Sequence, residues 1–318
     1  MPPQRILITG AAGFAGRHLL VLAAQRFPEV RLLATGEHEQ PGIRRLDVTN
    51  MAAARAVIAD FRPDAVVHLA AVAAVAEANR AGLRTWHVNL GGTCRLARAV
   101  LEAAPGAAFL FASSAAVYGR SFLPGAPLSE AAPLAPFDTY GATKAAAEMA
   151  LSAMVSEGLR LIRLRPFNHI GPGQSGAFAI GAFAAQIARI EAGKQPPVLA
   201  AGSLEACRDF LDVRDVCAGY LAALERADTL ESGIAINLAS GTARRLSSVL
   251  DELLALARVP IAVETDPLRL RRTDLPISVG DATRAARLLG WRPAIPWPKT
   301  LADLLADCRM RTGLEATS

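Results

Sequence analysis

Lysine is nearly missing from this 318-residue chain: Lys144, Lys194 and Lys299 stand against thirty-one arginines. Basic tracts are missing too. The net charge of +5 is spread along the chain, and aromatic residues make up only 5%. Nucleic-acid binding through a basic, aromatic-interleaved surface is therefore unsupported, and the positive excess reads as attraction for small anionic substrates. No stretch reaches the ~18 uninterrupted apolar residues that a membrane-crossing helix needs. A strand-like segment starts at Gln4, which leaves no room for the apolar core of a signal peptide. Four cysteines (Cys94, Cys207, Cys217, Cys308) lie far apart without a C-x-x-C pair, so neither a disulfide framework nor a zinc site has support. These absences describe a cytoplasmic protein without membrane, metal or nucleic-acid chemistry. Against them stand an apolar content of 52%, ample for a sizeable core, and a length that suggests about two domains on a ~150-residue prior.

One of the three lysines falls where chemistry could use it. Tyr140 and Lys144 are four residues apart in FDTYGATKAAAEMALSAM, so a helix there puts both on one face. A neighbouring ammonium favours phenolate and would move a group of ordinary pKa ~10 towards working pH, as a general acid/base for a carbonyl/alcohol pair requires. Y-x-x-x-K occurs by chance in many helices, so the surrounding motifs decide.

Residues 4–9 read as a buried strand, followed by Gly10-Ala-Ala-Gly13-Phe14-Ala15-Gly16 and an apolar helix over 17–26. This is G-x-x-G-x-x-G between a first strand and a first helix, a variant of the dinucleotide fingerprint. Gly10 permits the turn, Gly13 admits a pyrophosphate, Gly16 lets helix and strand pack, and the helix N-terminus offers N–H groups to phosphate. Further strands are expected at 30–34, 43–47, 65–70, 107–113 and 159–165, with helices at 51–60, 83–104 and 139–156. That alternation predicts an α/β fold: a Rossmann-like doubly wound parallel sheet, with ligands at the strand C-terminal ends. Ser113 and Ser114 follow the fifth strand, and Ser114 is the natural hydroxyl to hold a substrate oxygen beside Tyr140. After Arg165 the alternation breaks into a loop rich in Gly, Pro and Asn. A helix at 213–226 and a strand at 234–239 return to the sheet. The expected division is thus 1–166, with 212–239 returning, for the nucleotide-binding domain, and 167–211 with 240–318 for a smaller C-terminal substrate-binding domain.

GAAGFAG, the Asp47-Val48 pair, HLAA at 68–71, Asn89 in NLGGT, SSAAVYG, YGATK, RPFNHIGPG, RDFLDVRDV and RLRRTDLPISVGD together resemble the extended short-chain dehydrogenases/reductases that modify nucleotide sugars. The resemblance covers nearly the whole chain. RPFNHIGPG and the last two stretches are most similar to the GDP-6-deoxy-D-mannose reductases and GDP-mannose 4,6-dehydratases. It implies Tyr140 as proton donor, Lys144 as its electrostatic partner and ribose contact, and Ser114, with Ser113, as hydrogen-bonding partner of the substrate oxygen. It implies a cofactor site formed by Gly10, Gly13, Phe14, Ala15, Gly16, Arg17, Asp47, Val48, Leu69, Ala70, Ala71, Asn89 and Pro166 besides the tyrosine and lysine. Asn168, Arg208 and Arg271 would contact the diphosphate of the sugar nucleotide, a task that suits the planar guanidinium fork.

Within that family, dehydratases carry carboxylates directly after the catalytic hydroxyl, where this chain has Ala115 and Ala116. Methyl groups transfer no protons, so the resemblance implies an NAD(P)H-dependent 4-ketoreductase, with GDP-4-keto-6-deoxy-D-mannose as substrate and GDP-D-rhamnose as product. A nucleotide-sugar 4-epimerase, which needs the same triad, is the alternative. A Cys/His epimerising pair from His169 and Cys207 is disfavoured, because Cys207 is not at the family's cysteine position. A non-catalytic cofactor sensor would not need Ser114, Tyr140 and Lys144 together. His68 reads as a packed strand residue. NAD-specific relatives end the second strand with an acid, and the alignment puts Ala34 there, so NADP(H) is expected to be favoured and NAD(H) possible. The helix bearing Tyr140 is apolar on nearly every side, which predicts a second covered face and a homodimer.

Overall fold

The computed structural model describes residues 3–269 and 275–314. In chain order the first half runs β1 (Arg5–Thr9), α1 (Phe14–Arg26), β2 (Arg31–Gly36), β3 (Arg44–Arg45), α2 (Met51–Phe61), β4 (Ala65–His68), α3 (Val75–Arg80), α4 (Gly82–Trp86), α5 (Thr93–Ala103), β5 (Ala108–Ala112), α6 (Thr139–Val155) and β6 (Arg160–Pro166). The second half runs β7 (Asn168–Ile170), α7 (Ala179–Glu191), β8 (Val198–Ala201), β9 (Cys207–Asp212), α8 (Val213–Glu225), β10 (Ile234–Leu238), β11 (Ala243–Arg245), α9 (Leu246–Ala255), β12 (Ala262–Thr265), β13 (Ile277–Ser278), α10 (Thr283–Leu289) and α11 (Trp297–Leu314).

Seven strands form one sheet in the order β10-β6-β5-β4-β1-β2-β3, every neighbour parallel. The chain walks outward from β1 in one direction through β2 and β3, then returns to β4 and walks the other way. The reversal leaves a crevice at the C-terminal ends of β1 and β4, where doubly wound sheets take their ligands. Side chains alternate across the strands. Ile6, Ile8, Leu110 and Leu164 pack under α1 and α8, while Leu7, Val66, Phe109 and Phe111 pack under α2, α5 and α6. Both faces are covered, which is why these strands read as unbroken apolar runs.

The remaining strands form smaller sheets. β9 pairs β11, β13 and β7, and β12 pairs β8. α7, α9 and α11 enclose a separate core there, around Phe183, Ile187, Leu250 and Leu304.

The expected helix over 83–104 is interrupted. Between α4 and α5 the backbone widens into a π-helical stretch, His87–Gly92. The hydroxyl of Thr93 donates to the Asn89 carbonyl at 2.6 Å, and the Asn89 side chain turns inward. Single π-turns of this kind collect at functional sites. The expected strand 43–47 shrinks to β3, whereas the strand expected to end at residue 34 continues to Gly36. Among the described residues no helix is long and apolar enough to cross a membrane.

Candidate active site

The Gly-rich turn lies at the crevice. Gly10 has φ +70°, and a Cβ there would come within 2.7 Å of the Ala70 nitrogen, so only glycine lets the β1 exit lie against the β4 exit. At Gly16 a Cβ would sit 2.4 Å from the Gly10 carbonyl oxygen. Gly13 begins α1 without any side-chain cap. The first N–H groups of this helix therefore face a cradle that side chains do not fill, which fits the pyrophosphate of a dinucleotide. Phe14, Ala15, Leu69, Ala70 and Ala71 border it, each half-buried. Asp47 is exposed past β3, its carboxylate held low by the Thr49 hydroxyl and amide, while Val48 is buried against Gly92. Pro166 closes β6 as a buried residue.

The structure revises the role of Asn89 and the place where β2 ends. Asn89 is 1% exposed, and its amide is spent within the protein: Val72 N–H donates to Oδ1 at 2.8 Å, and Nδ2 donates to the Val72 carbonyl and to Thr143 Oγ1. It ties the β4 exit to α6, and both of its amide N–H donors are used within the protein. At the end of β2, Ala34 is packed in the core, and the Thr35 hydroxyl donates to the Ile8 carbonyl. The strand-end position is Gly36, two residues later, where a Cβ would lie 3.7 Å from that of Ala12. No carboxylate stands there either. Glu37 follows, exposed and ion-paired with Arg84 at 3.2 Å. Arg17 is exposed and donates through Nε to the Ala12 carbonyl at 2.9 Å, which fastens its guanidinium to the same loop.

The reactive side chains converge from β5 and α6. Asp138 caps α6 by accepting from the Gly141 amide at 2.7 Å, which fixes the first turn and Tyr140 within it. Gly141 is needed because a Cβ would meet the Ala116 carbonyl at 2.6 Å. That close approach brings the turn after β5 onto α6. Ser114 opens this turn in extended conformation, its oxygen accepting from Ala116 N–H at 3.1 Å, and its hydroxyl stands beside the Tyr140 phenol, whose ionised form it favours. Lys144 is 2% exposed. Its ammonium donates to the Ala112 carbonyl at 2.7 Å and lies 4.8 Å from the centre of the Phe111 ring.

The electrostatics run opposite to the sequence expectation. Burial pushes the Tyr140 phenol up to about 12, against a lowering contribution from Ser114, and pulls Lys144 down to about 7. The lysine does not draw the phenol down, because its ammonium is turned to the Ala112 carbonyl and desolvation of both groups dominates. In this state Tyr140 is a phenol at neutral pH.

Ser113 is also corrected. It is 3% exposed and donates to Glu148 Oε1 at 2.5 Å, so it anchors the turn and does not face a substrate. Glu148 and its partner Arg165 are charged core residues that hydrophobic patterning passed over. The only trace of Glu148 in the sequence is a carboxylate four residues after Lys144 on an otherwise apolar helix. His68 is fully buried between Thr9 and Thr93 hydroxyls and held neutral, its pKa lowered to about 3 by burial.

On the small sheet, Asn168 is exposed on β7 and donates to the Asp209 carbonyl at 3.4 Å. Arg208, on the neighbouring β9, is half-buried, with Nη1 donating to the Cys207 and Leu275 carbonyls. Register pairs Asn168 with Phe210, so the two candidate ligands are brought together on adjacent strands. Arg271 lies outside the described residues. His169 stacks parallel to Phe14 at 6.0 Å, far from a Cys/His pairing with Cys207. Among the described residues no cluster could hold a metal ion.

Residues 6–239 match the model of the NAD dependent epimerase/dehydratase family. The chain is 36% identical over 310 residues to GDP-6-deoxy-D-mannose reductase of Pseudomonas aeruginosa, covering 97% of this chain and 98% of that protein. It is 31% identical to UDP-glucose 4-epimerase of Rhizobium meliloti, covering 92% and 93%. Among solved structures, RMD from Pseudomonas aeruginosa complexed with NADPH superposes with a TM-score of 0.86 at 34% identity, over 97% of this chain and 99% of that one. The glycine cradle, the parallel sheet and the Ser–Tyr–Lys grouping all lie within the matched residues, and the chain belongs to the NAD dependent epimerase/dehydratase family.

Proposed function

We propose that the protein reduces the 4-keto group of GDP-4-keto-6-deoxy-D-mannose to give GDP-D-rhamnose, with NADPH favoured and NADH possible. The observation that carries this reading is the Ser114–Tyr140–Lys144 grouping followed by Ala115 and Ala116, where a dehydratase would need proton-transferring carboxylates. The likeness to the reductase over nearly both full lengths supports the substrate, and the NADPH in the similar structure supports the cofactor. The reduced nicotinamide would supply the hydride. Tyr140 gives its proton to the carbonyl oxygen as that oxygen gains charge, Ser114 hydrogen-bonds the same oxygen, and Lys144 steadies the phenolate left behind. A phenol held protonated by burial suits this direction. Asn168 and Arg208 would hold the diphosphate. Gly36 puts no carboxylate at the end of β2 to repel a 2′-phosphate, and Arg17, on α1, is an exposed cation fastened to the loop that follows β1.

A 4-epimerase is the second reading, favoured by the likeness to UDP-glucose 4-epimerase and by the identical needs of its triad. It must begin by oxidising an alcohol and later return the hydride, so it consumes no net cofactor. Incubation with GDP-4-keto-6-deoxy-D-mannose and either NADPH or NADH distinguishes them: loss of nicotinamide absorbance with stoichiometric GDP-rhamnose is expected, at least as fast with NADPH. Interconversion of UDP- or GDP-hexoses without net cofactor consumption would establish the epimerase instead.

A homodimer and a cytoplasmic location belong to the same reading. The outer face of α6 exposes Met149 (68%), and beside it α4 exposes Leu83 (90%) and Trp86. An isologous partner would cover that apolar surface. The four cysteines are free, which suits a reducing compartment.

A further inference from the structure

Glu148 lies one turn beyond Lys144 on the same face of α6 and is fully buried. Its Oε1 accepts from Ser113 Oγ at 2.5 Å and from Arg165 Nε at 2.9 Å. Its Oε2 accepts from Arg165 Nη2 at 2.6 Å and from Arg163 Nη1 at 3.2 Å. Ser113 sits between Ala112, whose carbonyl takes the Lys144 ammonium, and Ser114, which stands beside Tyr140. One carboxylate therefore ties the helix that carries Tyr140 and Lys144 to the turn that carries Ser114.

We propose that Glu148 is a positioning residue: its buried carboxylate offsets the cations packed around it, which favours the Lys144 ammonium, and holds the Ser114 turn against α6. The charges around it force the first part. Lys144 and Arg165 are both buried, and Arg163 is one-fifth exposed. Tyr140 on α6, His68 on β4, Arg163 and Arg165 on β6, and Tyr118, which accepts from Arg165, complete the titratable and charged groups. His68 stays neutral, and both tyrosines are held as phenols by burial. The Glu130 carbonyl also accepts from Arg165, while its carboxylate is bound to the Asn237 amide and Arg284. Remove the carboxylate and buried cations face one another. Arginine does not yield its proton, so the lysine must. Glu148 is the group that raises Lys144 against desolvation.

The proposal rests on the role given to Lys144 above, but its test needs no substrate. With three lysines in the chain, ε-13C-lysine labelling gives three resonances, assigned with Lys194→Arg and Lys299→Arg. Wild type, Glu148→Gln, Glu148→Asp and Ser113→Ala are titrated without substrate. Glu148→Gln should lower the Lys144 midpoint by about one pH unit or more. Glu148→Asp, whose charge is drawn back by one methylene, should lower it by less. Ser113→Ala, which keeps the carboxylate, should leave the midpoint in place whatever it does to stability. The alkaline limb of kcat/KM for ketoreduction should move to lower pH in the same order. A folded Glu148→Gln titrating within roughly 0.3 unit of wild type overturns the proposal. If that variant does not fold, Glu148→Asp decides, and an unmoved midpoint there is equally fatal. A wild type that reduces no keto-sugar defeats the functional reading, while the lysine titration still decides this one.

Discussion

The two ends of the site are built differently. On the large sheet several key positions are fixed by close backbone contacts: Gly10 pressed on Ala70, Gly141 pressed on Ala116, and Lys144 fastened to the Ala112 carbonyl. Polar side chains there are buried and paired, as in the Glu148–Arg165–Ser113 group. On the small sheet the candidate ligands are half-buried or exposed and carried by strands of three to six residues, with bonds to backbone carbonyls among their contacts. The rigid end suits bond making, where small displacements are costly. The looser end suits recognition of a flexible diphosphate, where arginine can adjust.

The sharpest way to break this contrast is Tyr140→Phe, which removes the transferable proton and keeps the ring. It should lower kcat by ~10²–10⁴-fold, while NADPH affinity, followed by fluorescence titration, stays close to wild type. Activity within a few-fold of wild type would take Tyr140 out of the mechanism. At the other end, Arg208→Ala should act mainly on KM. The loss of charge-assisted hydrogen bonds worth ~1.5–3 kcal/mol corresponds to roughly 10–100-fold weaker nucleotide-sugar binding, with kcat changed much less. Steady-state kinetics separate the two, and a fall in kcat equal to that in kcat/KM would move Arg208 to the reacting centre.

A third test addresses the buried polar interior itself. His68 has its pKa lowered to about 3 in the folded chain, against an ordinary 6.5. Between those values the unfolded chain binds more protons, so stability from this group is complete above pH 6.5 and is lost as pH falls towards 3. One proton corresponds to a slope of at most about 1.4 kcal/mol per pH unit. Denaturant unfolding at several pH values should show His68→Gln losing part of the wild-type acid slope; an unchanged slope would mean that His68 is not the proton-linked group.

Local pattern determined much of this protein. The strands, the Gly-rich turn, the Y-x-x-x-K face and the missing carboxylates at Ala115 and Ala116 are properties of short segments, where steric permission and periodicity act within a few residues. What the chain alone misplaced depends on partners far away in sequence. Ser113 and Asn89 look like ligands in their motifs, yet Glu148, 35 residues on, takes the first, and Val72 with Thr143 takes the second. The end of β2 fell at Gly36 rather than Ala34 because pairing with β1 runs on to Thr35 and pairing with β3 to Gly36. The charge states of Tyr140 and Lys144 were decided last and only by folding, since desolvation depends on how much protein surrounds a group and not on which residues precede it.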